Sequence, residues 1–183
     1  VVGNISAWNF PVYISIGPLA AIFAAGHRAM IKFSELAPAS ATLLQGLIGK
    51  YFDETECVGI IGGPELGAAF ASVPSAPLIF TGGTGIGPHI LQAAVQNLTP
   101  GTLELGGESP VIVGRSVELK KAVGRIMNGK ALNVGQACLG PDYCFVPREL
   151  KEEFITEVID CFSTFFPTVI GNPDYTAIIN RRH

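Results

Sequence analysis

The chain has 183 residues, 48% of them hydrophobic and only 15% charged, against roughly 25% charged for an average soluble domain, and its mean hydropathy is +0.41. It is long enough for one domain with a sizeable core, or for part of a larger protein, and a net charge of −3 without any basic run argues against nucleic acid as the main partner. The longest apolar stretch, Ile14 to Gly26, is broken by Ser15, Gly17 and Pro18 and falls short of the ~20 residues of a spanning helix, so the apolar composition reads instead as surface covered by something outside the chain.

In chain order, Val1 to Ser6 reads as a buried strand, and Trp8-Asn9-Phe10-Pro11 as a turn, since proline drives its predecessor out of helical geometry. Pro18 to Ala25 reads as a short apolar helix stopped by Gly26, and Ala29 to Phe33 as a short strand. Pro38 suits the first position of a helix to about Phe52, with Leu43, Leu44, Leu47, Ile48 and Tyr51 as its apolar residues. The pattern then repeats: strand Cys57 to Ile61, helix Glu65 to Ala71, strand Pro77 to Thr81, glycine-rich turn Gly82 to Gly87, helix Pro88 to Asn97. Continuous apolar strands alternating with helices indicate an α/β fold with a parallel sheet covered on both faces, with ligand at the carboxyl ends of strands.

After Thr99-Pro100-Gly101 the rhythm changes. Thr102 to Leu105 and Pro110 to Val113 are short strands around Gly106-Gly107. Val117 to about Leu132 is a helix with Leu119, Val123, Ile126 and Met127 on one face, Tyr143 to Val146 a strand, and Glu149 to about Phe166 a second amphipathic helix. A domain boundary is expected near Gly106. No basic segment leading into an apolar core and cleavage site opens the chain, so no signal peptide is expected. Four cysteines without C-x-x-C pairing suit a reducing cytoplasm.

Several residue groups can carry chemistry, and each has a plainer reading beside it. Cys138, in Asn133-Val134-Gly135-Gln136-Ala137-Cys138, has no cysteine at metal or redox spacing; it is either a small core residue or a nucleophile for a carbonyl. Glu104 lies in an apolar, glycine-containing segment with no lysine or arginine between His89 and Arg115. A carboxylate taken out of water there would suit a general base, and a loop or capping carboxylate is the alternative. Phe80-Thr81-Gly82-Gly83-Thr84-Gly85-Ile86-Gly87 reads equally as a phosphate cradle at a helix start or as an ordinary tight turn. Its spacing is neither G-x-G-x-x-G nor that of a P-loop. Lys32 and Glu35 suit the two hydroxyls of a ribose, or form a solvated ion pair. Asn9 can donate to an oxyanion or bond its own turn. His27, His89 and His183 are scattered, and no metal site is expected.

Taken together, Trp8-Asn9-Phe10-Pro11, Lys32-x-Ser34-Glu35, Phe80-Thr81-Gly82-x-Thr84, Glu104-Leu105-Gly106-Gly107 and Gly135-Gln136-x-Cys138 resemble aldehyde dehydrogenases in order and approximate spacing. Cys138-Leu139-Gly140-Pro141-Asp142-Tyr143, Asp174-Tyr175 and Ile178 to His183 are similar to the class-three and coniferyl-aldehyde branch. The resemblance implies a Rossmann-like nucleotide-binding portion over 1–105, followed by part of an α/β catalytic domain over 106–183. It implies Cys138 as nucleophile, Asn9 and the Cys138 backbone N–H as oxyanion donors, and Glu104 as the base that activates water. Trp8, Lys32, Glu35, Gly82, Gly83, Ile86 and Gly87 would hold NAD or NADP, with NAD favoured by Glu35. An aldehyde substrate and, for a full-length protein, a homodimer are implied as partners.

Departures from the family pattern are Gly83 in place of the common serine, Glu108 in place of the usual lysine, and His27-Arg28 before the lysine strand. All are expected to lower cofactor affinity rather than remove a catalytic group. Family members are several hundred residues long, so the chain reads as an internal fragment. The alternative function is therefore a non-catalytic piece, at most a nucleotide-binding module.

Overall fold

A computed structural model describes residues 1–74 and 77–183. They form two compact units, Val1–Gly106 and Gly107–His183. The first unit holds five strands, β1 (Val2–Ile5), β2 (Ala29–Lys32), β3 (Cys57–Ile60), β4 (Leu78–Thr81) and β5 (Gly101–Glu104), with helices α1 (Pro11–Ala24), α2 (Pro38–Tyr51), α3 (Pro64–Ala71) and α4 (Gly87–Val95) between them. All four strand pairings are parallel, in the order β3-β2-β1-β4-β5. The fold is α/β around a five-stranded parallel sheet.

Strand alternation distributes the core onto two faces. On one, Val2, Ala29, Ile31 and Cys57 pack with Leu19 and Ile22 of α1 and Ala41, Leu44 and Ile48 of α2. On the other, Ile5, Leu78 and Phe80 pack with Phe70 and Ala71 of α3 and Ile90 and Ala94 of α4. Neighbouring positions in β2 divide accordingly: Ile31 belongs to the first cluster and Met30 packs against the second. The apolar face of α2 is narrower than its sequence implies. Leu43, Leu47 and Tyr51 are exposed, and Ala41, Leu44 and Ile48 alone are buried, because the sheet presents a single surface to the helix and a 3.6-residue period brings few positions to it.

The region before β2 corrects the expectation of a turn followed by a helix from Pro18. One helix starts at Pro11 and runs through Pro18. Pro11 sits in the first turn, where no donor is needed. Pro18 is inside the helix and cannot donate to Ile14, a change that ordinarily costs about 3 kcal/mol. Asn4, fully buried on β1, supplies the missing donor: its Nδ2 donates to the Ile14 carbonyl (3.1 Å) and to the Ser15 carbonyl (3.2 Å). Pro18→Ala restores a backbone N–H opposite Ile14. It is expected to stabilise an Asn4→Leu variant by about 1 kcal/mol more than it stabilises the wild type, read as non-additivity in urea unfolding. Additive effects would mean that Asn4 is not what makes Pro18 tolerable.

The second unit holds two parallel strands, β6 (Ser109–Ile112) and β7 (Pro141–Phe145), with an irregularity at Ser109/Pro110. Two helices, α5 (Leu119–Ala131) and α6 (Lys151–Phe165), pack with them. Strand β7 starts two residues before the expected Tyr143, since proline is tolerated as the first residue of a strand. The expected start of α6 at Glu149 is a short 3-10 turn over Arg148–Leu150. Leu119, Val123 and Met127 are buried together with Val113, and Ile126 packs at the margin beside Phe154, Val158 and Phe162 of α6. The last residues are irregular and held to α6 by Tyr175, whose ring centroid lies 4.4 Å from that of Phe166 and 5.9 Å from that of Phe162. Among the described residues, no helix is long and apolar enough to cross a membrane.

Candidate functional site

In the first unit the candidate residues follow the carboxyl ends of strands. Trp8 and Asn9, both half-buried, come after β1; Lys32 ends β2 and Glu35 follows it; Gly82 to Gly87 link β4 to α4; Glu104 ends β5. Strands β2 and β4 lie on either side of β1, so the direction of winding reverses between β1 and β4, the place where open parallel sheets leave a crevice for ligand.

Lys32 is 4% exposed, and its Nζ lies 2.7 Å from Glu35 Oε2. This is not a solvated ion pair on both sides, because only the glutamate reaches water. Partial burial pushes the Glu35 carboxyl up, but hydrogen bonds from Lys32 and its own backbone, with the Lys32 charge, outweigh it and leave the carboxyl below its ordinary value. Ser34 does not join Lys32; its Oγ accepts from the Leu36 amide (3.3 Å). A buried polar link that sequence reading missed lies beneath. Ser15 Oγ donates to Ser6 Oγ (2.8 Å), and Ser6 Oγ donates to the Lys32 carbonyl (3.3 Å). It ties α1 to the ends of β1 and β2. The available signal was Ser15 and Asn4 standing alone in apolar runs, since buried polar side chains need partners.

The glycine loop is tied to β5 by the Gly82 amide, which donates to the Glu104 carbonyl (3.0 Å). A Cβ at Gly83 or Gly85 would meet nothing within 4 Å, so the loop backbone is open to approach beside the first turn of α4. Ile86 is exposed, and Gly87 is buried against Leu103 and Leu105. An open amide-bearing loop at a helix start, next to a lysine–glutamate pair one strand beyond β1, fits a dinucleotide in donor set and placement. Glu104 is exposed rather than withdrawn from water, which agrees with the loop-carboxylate alternative and not with a desolvated base. Among the described residues it lies on an edge strand paired with β4 alone, and the residues that follow Leu105 are glycines with no side chain to cover it.

In the second unit Cys138 is exposed in the loop between α5 and β7. The loop opens with three successive left-handed residues, Asn133 (φ 51°), Val134 (φ 59°) and Gly135 (φ 75°). Glycine takes this geometry freely and asparagine tolerates it, but β-branched Val134 stores strain of about 1–3 kcal/mol. The turn is closed by the Gln136 amide donating to the Asn133 carbonyl (3.0 Å). The remaining cysteines differ. Cys57 is buried and Cys161 half-buried, and burial pushes the Cys57 thiol up. Cys144 is exposed on β7, and partial desolvation raises its thiol against the pull of Lys130. Among the described residues, no group of three or more His, Cys, Asp or Glu is placed to hold a metal ion.

Gly107 lies against the Cys138 loop: a Cβ there would stand 2.8 Å from the Cys138 carbonyl oxygen, closer than real contacts allow. Gly107→Ala must therefore displace backbone at Cys138. We expect roughly a hundredfold loss of Cys138-dependent activity for a shift of about 1 Å, with the thermal midpoint and NAD affinity little changed. Activity within a few-fold of wild type would show that the loop gives way without consequence.

The family described as "Aldehyde dehydrogenase family" matches residues 1–183. The chain is 51% identical over all of its length to a probable coniferyl aldehyde dehydrogenase of Caulobacter vibrioides and to a coniferyl aldehyde dehydrogenase of a Pseudomonas species. It covers 38% of each, so it spans little more than a third of the curated relatives it matches. Among solved structures it is similar to substrate-bound AldH of Staphylococcus aureus (38% identity, TM-score 0.92, covering 98% of this chain and 39% of that one). It is also similar to a mutant aldehyde dehydrogenase C of Pseudomonas syringae in complex with NAD+ and octanal (30% identity, TM-score 0.89, covering 99% and 38%). With the family match running through both units, the chain belongs to the aldehyde dehydrogenase family.

Proposed function

We propose that the chain carries the nucleotide-binding and nucleophile-bearing parts of an enzyme that oxidises an aldehyde to a carboxylic acid. The observation that carries this reading is the arrangement in the first unit, where Trp8 and Asn9, Lys32 and Glu35, the Gly82 loop and Glu104 follow the carboxyl ends of β1, β2, β4 and β5. Lys32 and Glu35 would hold the adenosine ribose hydroxyls. The Gly82 and Gly83 amides and the α4 start at Ile86 and Gly87 would face the pyrophosphate, with Trp8 beside the cofactor. Glu35, already engaged by Lys32, would repel a 2′-phosphate, which favours NAD over NADP.

In this mechanism the Cys138 thiolate attacks the aldehyde carbon, and the carbonyl oxygen becomes an oxyanion held by the Asn9 amide and the Cys138 backbone N–H. The dinucleotide, when bound, supplies the two-electron acceptor that turns the thiohemiacetal into a thioester. Glu104 takes a proton from water, which adds to the thioester carbonyl; the C–S bond then breaks, releasing the acid and returning the thiolate. The reading is tested by mixing the purified chain with NAD and a simple aromatic aldehyde and following reduced-nicotinamide absorbance together with the product acid. Equimolar reduced cofactor and acid are expected. Saturable NAD binding with neither product would leave the nucleotide-binding module, the second reading, which the chain's partial coverage of its relatives favours.

A further inference from the structure

Cys138 follows a turn whose backbone runs against the preference of one of its own residues. Val134 resists the left-handed region, so the conformation needs ties from elsewhere, and the Gln136 side chain supplies them. Its Nε2 donates to the Asn133 carbonyl (3.0 Å) and to the Ala177 carbonyl (3.3 Å), and its Oε1 accepts from the Ile179 amide (3.0 Å). Both amide protons and the amide oxygen are engaged. One of these bonds closes the turn, and the other two reach a segment more than forty residues away. That segment is itself tied down, because the Tyr175 ring packs in a tilted arrangement against Phe166 at the end of α6. A continuous mechanical path therefore runs from α6 through Tyr175, Ala177 and Ile179 to Gln136, two residues before the cysteine.

We propose that Gln136 is a positioning residue for Cys138: by bridging the left-handed turn to the 177–179 backbone, it holds the thiol in its attacking orientation. The inference rests on Cys138 being the nucleophile. Misplacing a reacting atom by about 1 Å can cost on the order of a hundredfold in rate, so losing the bridge should lower the maximal rate of attack while leaving substrate half-saturation unchanged.

The test uses the full chain and an activated aryl ester, p-nitrophenyl acetate, which a cysteine cleaves without any dinucleotide: the thiolate displaces phenolate and becomes a thioester. Gln136→Met keeps the length and removes the side-chain hydrogen bonds to Asn133, Ala177 and Ile179. Ile179→Pro removes the amide donor at the far end of the bridge and covers the case in which the first variant fails to fold. In each folded variant the phenolate burst is expected to slow at least about tenfold at saturating ester. Hydrogen exchange at the Gln136 and Gly140 amides is expected to speed up by a similar factor. A burst within about twofold of wild type, with or without faster exchange, overturns the proposal and leaves Gln136 a structural tie for the carboxyl-terminal segment. A burst that is absent from wild type, or that survives Cys138→Ala, overturns the nucleophile reading instead and the proposal with it, and is told apart because the exchange comparison is unaffected.

Discussion

Cys138→Ala is expected to abolish aldehyde-dependent reduction of NAD, with a fall on the order of ten-thousandfold or more, while NAD binding stays within about twofold of wild type. The size follows from covalent catalysis, in which removing the nucleophile removes the whole path rather than one stabilising contact. The other cysteines offer no substitute. Cys57 lies in the core of the first unit, Cys161 packs against the second core, and Cys144, though exposed, is held in β7 outside the Cys138 loop. Binding should survive because the residues assigned to the dinucleotide all lie in Val1–Gly106, whereas Cys138 belongs to Gly107–His183. Reduced-nicotinamide absorbance gives the rate, and a fluorescence titration gives the affinity. A mutant that still reduces NAD at more than a few per cent of the wild-type rate would sink the mechanism.

Glu104→Gln should separate the two halves of the reaction. Glutamine keeps the size of the side chain but cannot take a proton from water, and loss of a general base costs typically 10²–10⁴-fold. Thioester formation does not need that proton transfer, so the variant is expected to make one equivalent of reduced cofactor in a burst and then stall. Acid quenching followed by mass spectrometry should find the acyl group on the peptide containing Cys138. Because Glu104 is exposed at the end of β5, water reaches it directly. A slow steady state without a burst would place the defect before the thioester and reassign Glu104 to positioning or binding.

Much was legible in the chain because the information is local. Apolar runs interrupted by Gly62-Gly63-Pro64, by Gly82-Gly83 and by Thr99-Pro100-Gly101 mark strand ends and helix starts through backbone geometry alone, and these elements form at the expected places. The five ordered motifs needed no tertiary information to indicate the family. Strand order was not written in any segment: β4 pairs with β1, not with the β3 that precedes it, because sheet position is chosen by packing of both faces together.

The misreadings have the same origin. Pro18 looked like a helix start because, taken locally, proline ends or begins helices; it sits inside α1 because Asn4, on another element, replaces the donor that proline lacks. For Glu104 the sequence left burial and exposure both open, since its neighbours are apolar and uncharged, yet burial depends on what packs over a side chain, and an edge strand followed by glycines offers little. In the Cys138 loop the sequence determined which residues are present, a cysteine after Gly-Gln-x with asparagine and valine before it. Their shape was decided by contacts far along the chain, through Ala177, Ile179 and Gly107. Short-range preference would have kept Val134 out of left-handed geometry, and the bonds between Asn133 and Gln136, together with those made by distant segments, outweigh that cost.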